Sequence, residues 1–281
     1  MGPTAVFTDL DGTLLNADHQ LSEGNRRTLT ELGNNGICRV VATGRSLYSA
    51  KRVLDQAFPI DYLITSTGAG IFSFPSLALL RSVALTVSEV ETTVEKLIQR
   101  GLDFMIQDPV PHNHRFSWHT CGRTNPDFER RLALYHDHQR RLPMPFTSTA
   151  PAAQLLVICP AGTDQQLQQK LRAELPTMSV IRTTSPLDHD SMWIEIFPGN
   201  VSKSQAATWL CAELSLDSNK ALVIGNDYND LDLLEWGTTR YVVANAPDYL
   251  RSHFPEVADH NADGFSEAVG LWLSQTYPPT G

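Results

Sequence analysis

An α/β fold, with a parallel-sheet core and a second α/β domain inserted into it, is predicted by two features of this sequence. Toward both ends of the chain, short β-branched and apolar runs alternate with helical patterns, which is typical of parallel strands joined by helices. The middle of the chain instead carries strands with one polar face, which favours a separate antiparallel sheet. With 281 residues, the chain is long enough for two domains.

The core strands are predicted from runs that are apolar on both faces, as a sheet covered by helices on both sides requires. The strands are predicted at residues 5–7, 39–42, 62–64, 221–224 and 241–244, and core helices at residues 22–32, 204–214 and 226–234. Asp9, Thr43, Ser66 and Asn226 follow four of these strands. Because ligands bind beyond the carboxyl ends of parallel strands, we expect these residues to share a site.

The middle of the chain is predicted to form the inserted domain. Its strands are predicted at residues 104–107, 115–119, 154–159 and 179–183, and its helices at residues 87–100, 126–141 and 163–175. The half-polar strands indicate an antiparallel sheet with its helices on one face. The core is expected to resume at residue 191. This division gives a core of residues 1–81 and 191–281 and an inserted domain of residues 82–190.

The charge balance and the cysteine spacing exclude several classes of function. A formal net charge of -9 and a pI near 5.4 leave no basic stripe for nucleic acid or for an anionic membrane. The four cysteines lie far apart without CxxC spacing, so neither a zinc site nor a disulfide framework is expected. No signal-peptide pattern or long apolar run is visible. We therefore expect a cytoplasmic protein without nucleic-acid or membrane partners.

Two carboxylates stand at the end of the first predicted strand, in the segment Asp9-Leu10-Asp11-Gly12-Thr13. Like charges this close repel each other unless a cation or a shared proton relieves the repulsion. Mg2+ prefers oxygen ligands and commonly bridges carboxylates to a substrate phosphate. The pair therefore indicates a metal-assisted phosphoryl-transfer site, and an acidic turn is the alternative interpretation.

Two further segments fit a phosphate ligand. Thr43-Gly44-Arg45 ends the second predicted strand and opens a helix, where a hydroxyl and backbone N–H groups can hold a phosphate. Lys203 lies near the start of another predicted helix, where the helix dipole disfavours a cation. A bound phosphate would explain that lysine. A common Thr-Gly turn and a solvated lysine are the alternatives when each segment is taken alone.

Oxygen-bearing side chains cluster after the fourth core strand, in the segment 225–230. Asn226, Asp227, Asn229 and Asp230 follow Gly225 there. An EF-hand is excluded, because the glycine spacing that it requires is absent. A dense set of oxygen ligands indicates a cation or phosphate site, and a helix N-cap with an acidic first turn is the alternative.

Taken together and in this order, the segment 9–13, Thr43-Gly44-Arg45, Lys203 and the segment 225–230 resemble the four motifs of the haloacid dehalogenase (HAD) superfamily of phosphatases. The inserted domain resembles the large α/β cap of subclass IIB, the Cof-like sugar phosphatases. The resemblance implies a Rossmann-like parallel-sheet core with an inserted α/β cap. It also implies that the cap determines substrate specificity and closes over the carboxyl ends of the core strands.

The resemblance implies a role for each of four residues. Asp9 would be the nucleophile, which attacks phosphorus and becomes an aspartyl phosphate. Asp11 would protonate the leaving alkoxide and then deprotonate the attacking water, so it must begin protonated. Thr43 would hydrogen-bond the phosphoryl oxygens, and Lys203 would neutralise their charge and that of Asp9.

The resemblance also implies a set of ligands. Substrate phosphate is expected at Thr43, Gly44, Arg45, Lys203 and Asn229. Mg2+ is the expected cofactor, held by Asp9, by the main-chain carbonyl of Asp11, and by Asn226 or Asp227. Relatives usually carry aspartate where this chain has Asn226, and a carboxamide ligates Mg2+ more weakly than a carboxylate. Asp230 is expected to support either Lys203 or a metal-bound water.

The combined pattern predicts a Mg2+-dependent phosphomonoesterase of a small phosphorylated metabolite, with a sugar phosphate as the leading candidate. One alternative is a phosphate-binding or regulatory protein on the same fold, with catalysis weakened by Asn226. Another is a phosphomutase-type phosphotransferase, which begins with the same aspartyl phosphate. The presence of Asp9, Asp11, Thr43 and Lys203 favours the enzyme, because a binding module has no use for a nucleophile and an acid so placed.

Overall fold

The chain forms two compact units, each built around one β-sheet. The computed structural model describes residues 4–164 and 166–276. The first unit comprises the chain up to Arg45, residues Ala50–Arg81 and the chain from Ser202 onward. The second unit comprises Ser46–Ser49 and Ser82–Val201. In sequence, the second unit is therefore an insertion into the first.

The strands and helices are numbered along the chain. The strands are β1 (Ala5–Thr8), β2 (Cys38–Ala42), β3 (Tyr62–Thr65), β4 (Gly70–Ser73), β5 (Leu79–Ser82), β6 (Phe104–Gln107), β7 (Phe116–His119), β8 (Gln139–Arg141), β9 (Gln154–Cys159), β10 (Met178–Thr184), β11 (Met192–Pro198), β12 (Leu222–Gly225), β13 (Thr239–Val243) and β14 (Glu256–Val257). The helices are α1 (Glu23–Asn34), α2 (Leu47–Ala50), α3 (Val87–Gln99), α4 (Pro126–Leu134), α5 (Leu167–Glu174), α6 (Lys203–Leu214), α7 (Leu231–Trp236), α8 (Asp248–His253) and α9 (Gly264–Thr276).

The first unit contains an eight-stranded sheet in the order β14-β13-β12-β1-β2-β3-β4-β5. From β14 to β3 the paired neighbours run parallel. Val6 of β1 lies opposite Leu222 on one side and Arg39 on the other. The predicted parallel-sheet core is confirmed. The structure adds β4, which runs antiparallel to β3, and β5 at the edge beyond it.

Side-chain caps fix the starts of two helices of the first unit. The Ser22 hydroxyl accepts a hydrogen bond from the backbone N–H of Asn25 (3.0 Å), and the Ser202 hydroxyl accepts one from Gln205 (3.2 Å). Such caps satisfy N–H groups that have no partner inside the helix. Because Ser202 is the cap, α6 begins at Lys203, one residue earlier than predicted, and this lysine stands in the first turn.

The second unit contains a six-stranded sheet in the order β10-β11-β9-β6-β7-β8. Its paired strands run antiparallel except β7 and β8, which run parallel. β11 pairs with β10 along its whole length and with β9 on its other side. A separate, mainly antiparallel sheet therefore forms in the middle of the chain, with β11 inside it.

The boundary between the second unit and the rest of the core lies later in the chain than the predicted residue 191. β11 belongs to the second sheet, and the second unit extends to Val201. All seven residues of β11 are buried, and Glu195 is the one charged residue among them, so its sequence resembles that of a core strand. The sequence pattern reports that both faces are covered, but it does not report which sheet the strand joins.

Helices cover both faces of the second sheet, whereas the sequence predicts them on one face. α3 and α5 pack on the face that carries Leu155 and Val157 of β9. Phe128 of α4 packs on the opposite face, against Leu156 and Ile158. Successive residues of a strand point to opposite faces, so this central strand is buried on both sides.

Helix α4 is shorter than the predicted helix over residues 126–141. It ends at Leu134, residues 136–138 form a 3-10 turn, and residues 139–141 become β8. Gln139 lies opposite Phe116 of β7 in this edge pairing. Pairing with a neighbouring strand outweighs the local helical preference, which is a weak determinant of structure by itself.

Two observations bear on the class of protein. Within the described ranges, 4–164 and 166–276, no helix has both the length and the apolar character needed to cross a bilayer. The four cysteines are free thiols, and Cys159 and Cys211 are buried. Burial raises the pKa of the Cys159 thiol to about 12, so this group stays protonated at neutral pH.

A fragment of residues 82–201 is expected to fold alone, whereas a fragment of residues 82–190 is expected to remain unfolded. The shorter fragment lacks β11, which carries the fully buried Ile194 and Ile196 and pairs with strands on both sides. Far-UV circular dichroism with thermal unfolding checks this, and only the longer fragment should unfold cooperatively. Ile194→Ala in the longer fragment is the control and should lower its free energy of unfolding by about 2–5 kcal/mol. Cooperative unfolding of both fragments would contradict the boundary.

Candidate active site

Three polar residues of the first unit lie at the carboxyl ends of adjacent parallel strands. Asp9 follows β1, Thr43 follows β2 and Asn226 follows β12. The backbone N–H of Asp9 donates to the carbonyl of Ile224 (2.9 Å), and that of Thr43 donates to Ile64 (2.9 Å). These bonds continue the sheet ladder past the strand ends, so the main chain at both residues is fixed by the sheet.

Lys203 brings two carboxylates together. Its Nζ donates to Oδ1 of Asp9 (2.6 Å) and to Oδ1 of Asp230 (2.5 Å). Lys203 and Asp230 are fully buried, and Asp9 is 6% exposed. The alternative of a solvated lysine is therefore wrong, because this ammonium group is enclosed by the unit and paired on two sides. Its position at the first turn of α6 is explained by the two carboxylates.

The charges of this buried trio alter one another's protonation. Burial raises the pKa of Asp9, the ammonium of Lys203 opposes that rise, and the carboxylates of Asp230 and Asp11 add to it. Burial alone would lower the pKa of Lys203, but Asp230 and Asp9 outweigh it and leave that pKa raised. Two carboxylates share one ammonium, so the trio carries one net negative charge when all three groups are ionised. A cation beside Asp9 would stabilise its ionised form.

Asp230 is held from its other side by the turn that follows β12. Its Oδ2 accepts hydrogen bonds from the backbone N–H groups of Asn226 (2.8 Å) and Asp227 (3.0 Å). A β-carbon on Gly225 would lie 2.6 Å from Cβ of Asp230, so only glycine permits this approach. The turn therefore orients one oxygen of Asp230 toward Lys203 and uses the other to fix its own backbone.

The loop after β2 forms a compact polar turn. The Thr43 hydroxyl accepts a hydrogen bond from the backbone N–H of Arg45 (3.1 Å), and the carbonyl of Thr43 accepts one from Thr67 (3.0 Å). Thr67 adopts a left-handed conformation with φ of 55°. A β-carbon on Gly44 would lie 3.4 Å from Nδ2 of Asn229 and 3.6 Å from the Thr67 hydroxyl. Gly44 thus adjoins the polar groups of Asn229 and Thr67.

Asp11 faces the side chains of Arg45 and His19. Arg45 donates from Nε to Oδ2 of Asp11 (2.6 Å) and from Nη2 to Oδ1 (2.6 Å). Nδ1 of His19 lies 3.3 Å from the same Oδ1. The sequence predicts Arg45 as a phosphate ligand, and the structure places its guanidinium on the carboxylate of Asp11. His19 was not predicted at the site, and no sequence signal points to it.

Asn226 lies against the turn that follows Asp11. A β-carbon on Gly12, which has φ of +72°, would lie 2.6 Å from Nδ2 of Asn226, so glycine is needed for this approach. The Gly12 carbonyl accepts a hydrogen bond from Nδ2 of Asn245 (2.8 Å). Asn245 is a second residue that sequence reasoning missed. These contacts join the turns after β1, β12 and β13.

The donor set beside Asp9 fits a hard divalent cation. Among the described residues, no group of three or more His, Cys, Asp and Glu side chains is arranged to hold a metal by itself. Mg2+ does not need such a cage, because it is usually bound by one or two carboxylates together with substrate phosphates and waters. The carboxylate of Asp9, the main-chain carbonyl of Asp11 and the carboxamide oxygen of Asn226 are oxygen ligands, and the buried trio carries one net negative charge when its three groups are ionised.

Replacing Lys203 with Met is expected to lower the free energy of unfolding by about 3–5 kcal/mol, because it leaves two buried carboxylates unpaired. Urea unfolding followed by circular dichroism measures the loss. Lys170→Met is the matched control, because Lys170 pairs with Asp164 on an exposed surface (2.6 Å) and should change the stability little. Equal stabilities of the two variants would show that the ion trio does not hold the site together.

Comparison with known proteins places the chain in a family. The profile of the haloacid dehalogenase-like hydrolases matches residues 6–269. An HMP-PP phosphatase of Escherichia coli is 25% identical over 286 residues, which cover 99% of this chain and 98% of that protein.

Solved structures share the fold. BT1666, a HAD superfamily phosphatase of Bacteroides thetaiotaomicron, has a TM-score of 0.74 with 18% identity and covers 96% of this chain and 95% of its own. The HAD subclass IIB sugar phosphatase BT4131 has a TM-score of 0.73 with 16% identity, covering 96% and 98%. Because the family profile spans nearly the whole chain, this protein belongs to the haloacid dehalogenase-like hydrolases and is an enzyme of the phosphatase type.

Proposed function

We propose that this phosphatase is a Mg2+-dependent phosphomonoesterase that hydrolyses a small organic phosphate through an aspartyl-phosphate intermediate. The observation that carries the proposal is the buried carboxylate of Asp9, held at one oxygen by Lys203 at 2.6 Å. With Oδ1 fixed by the ammonium, Oδ2 is the oxygen available to attack phosphorus. A carboxylate nucleophile splits one difficult displacement into two easier ones.

In the first half-reaction, Oδ2 of Asp9 attacks phosphorus and the bond between phosphorus and the leaving oxygen breaks. The leaving alkoxide takes a proton from the carboxyl group of Asp11. In the second half-reaction, the carboxylate of Asp11 removes a proton from water, which attacks the phosphorus of the aspartyl phosphate. Inorganic phosphate leaves, and Asp9 is restored as a carboxylate. General acid–base assistance of this kind contributes roughly 10²–10⁴-fold to a rate.

The phosphoryl group would be bound by the residues around the nucleophile. Lys203 already neutralises part of the charge on Asp9, and its ammonium is placed to stabilise charge that develops on the phosphoryl oxygens. The hydroxyl of Thr43 and the carboxamide of Asn229 supply hydrogen-bond donors, and Gly44 adjoins Asn229 without a side chain of its own. This set gives the phosphate its contacts without requiring Arg45.

Mg2+ would be held by Asp9, by the main-chain carbonyl of Asp11 and by Asn226. When bound, the ion supplies positive charge that offsets the carboxylates and the substrate phosphate. Asp227 is the alternative side-chain ligand. Asn226 is favoured over Asp227 because its side chain lies against Gly12, the residue that follows Asp11 and its main-chain carbonyl.

A sugar phosphate is the leading candidate for the substrate, and the second unit is proposed to act as the cap that recognises its leaving group. The sugar phosphatase BT4131 shares the fold over nearly the whole chain, including the inserted unit. The HMP-PP phosphatase relative acts, by its name, on a different organic phosphate, so the fold accommodates leaving groups of more than one class. The cap is proposed to comprise the inserted segment of the second unit, residues 82–201.

Asp9→Asn is expected to lower turnover by several orders of magnitude while the fold stays intact, because a carboxamide cannot form the acyl phosphate. Phosphate release from a panel of phosphorylated metabolites, with and without Mg2+, provides the assay. Transfer of the phosphoryl group to a sugar instead of water would identify a phosphotransferase. A folded Asp9→Asn protein that keeps more than about a tenth of wild-type activity would refute the nucleophile.

Asn226→Asp is expected to lower the Mg2+ concentration needed for half-maximal activity, because the charge of the oxygen ligands is a main control on divalent-cation affinity. Isothermal titration calorimetry with Mg2+ measures the binding affinity independently of turnover. Asp227→Ala is the matched variant and should leave Mg2+ binding near the wild-type value. Loss of Mg2+ binding in Asp227→Ala, with no gain in Asn226→Asp, would assign the ligand to Asp227.

A further inference from the structure

Both oxygens of the Asp11 carboxylate accept hydrogen bonds from Arg45. Arg45 donates to Oδ2 and Oδ1, each at 2.6 Å, which is a two-point contact between two planar groups. His19 adds a third contact, with Nδ1 at 3.3 Å from Oδ1. The side chain of Asp11 is 33% exposed and that of Arg45 is 21% exposed, so the pair lies at the surface of the unit with its polar groups engaged. A guanidinium in this geometry fixes both the position and the plane of a carboxylate.

Arg45 is itself anchored by its main chain. Its backbone N–H donates to the Thr43 hydroxyl (3.1 Å), and its carbonyl accepts from the backbone N–H of Ser66 (2.9 Å). Thr43 and Ser66 stand at the ends of neighbouring strands, β2 and β3. The guanidinium therefore extends from a point fixed by the sheet.

His19 is also placed by a specific turn. Oδ1 of Asn16 accepts hydrogen bonds from the N–H groups of Asp18 (3.0 Å) and Gln20 (2.9 Å), and the N–H of His19 donates to the Asn16 carbonyl (2.9 Å). His19 has φ of 56°, a left-handed conformation that costs free energy in residues other than glycine. The bonds of Asn16 on either side maintain that conformation, and it brings the imidazole to Asp11.

We propose that Arg45 and His19 form a clamp that positions the acid–base carboxylate of Asp11, and that Arg45 acts through Asp11 and does not bind the phosphate of the substrate. The inference rests on the proposed function, in which Asp11 exchanges protons with the leaving oxygen and with water. Both events require one oxygen of Asp11 at a fixed place, and small displacements of a reacting group are costly in rate. A carboxylate on a turn this exposed would otherwise sample several orientations.

A double-mutant cycle separates positioning from phosphate binding. Arg45→Lys keeps the charge but loses the two-point contact, and we expect it to lower kcat for an alkyl phosphate such as glycerol phosphate by about 100-fold. The loss should be smaller for p-nitrophenyl phosphate, whose leaving group needs no proton. In an Asp11→Asn background, Arg45→Lys should cause little further loss, because the group through which it acts is gone. KM and inhibition by inorganic phosphate should stay near the wild-type values.

Arg39→Lys is the matched control. Arg39 makes the same kind of two-point contact with Asp61 (2.9 and 2.7 Å) at a distance from the strand ends that carry the site. It should keep wild-type kinetics and report what loss of such a pair does to thermal stability. If Arg45→Lys does not fold, the same double-mutant cycle is measured with His19→Gln. This variant should lower kcat in the wild-type background and cause little further loss of kcat in the Asp11→Asn background.

Each alternative outcome has a distinct meaning. Equal losses from Arg45→Lys in the wild-type and Asp11→Asn backgrounds, with weaker inhibition by inorganic phosphate, would overturn the clamp and assign Arg45 to phosphate binding. Unchanged kinetics in His19→Gln would remove His19 from the clamp. A wild-type protein that hydrolyses no phosphomonoester would overturn the proposed function itself. An active enzyme in which the losses from Arg45→Lys and Asp11→Asn add would overturn only the clamp.

Discussion

The ammonium group of Lys203 determines how the candidate active site is assembled. It binds Asp9, which lies 194 positions earlier in the chain, and Asp230, 27 positions later. A buried ion that loses one partner is strongly destabilising, whereas the intact set is tolerated because each charge is paired. The ammonium therefore ties the end of β1, the first turn of α6 and the turn after β12 to one geometry. Apolar packing brings these elements near one another, and the ion trio fixes the side chains of Asp9 and Asp230.

The fold was predictable to the extent that apolar runs report burial. The five core strands could be located because each run is apolar on both faces, and their parallel direction was predicted from the helices between them. The core was expected to resume at residue 191, but β11 belongs to the second sheet, where its residues are just as buried. The prediction of a helix over residues 139–141 was wrong because their sequence continues a helical pattern. They form β8 instead because they pair with β7. A local sequence pattern indicates whether a segment is buried, but the strand with which it pairs depends on the rest of the chain.

The candidate site was predictable where it depends on strand ends. Asp9, Thr43 and Asn226 follow adjacent parallel strands, so their proximity comes from topology alone. The burial of Lys203 was not predictable, because a lysine near a helix start has the same sequence whether it is solvated or paired. The pairing of Arg45 with Asp11 depends on the reach of a long side chain. The position of His19 depends on a turn built by Asn16, whose hydrogen bonds leave no periodic signal.

The neutral residue at position 226 affects the charge of the site. Asp9, Asp11 and Asp230 pair with the cations Lys203 and Arg45, which leaves one net negative charge before any metal binds when all five groups are ionised. An aspartate at 226 would add a second, and like charges without a cation raise one another's pKa and destabilise the folded state. The carboxamide thus lowers the repulsion of the metal-free site, and if Asn226 binds the proposed cation, the accompanying cost is a weaker ligand than a carboxylate.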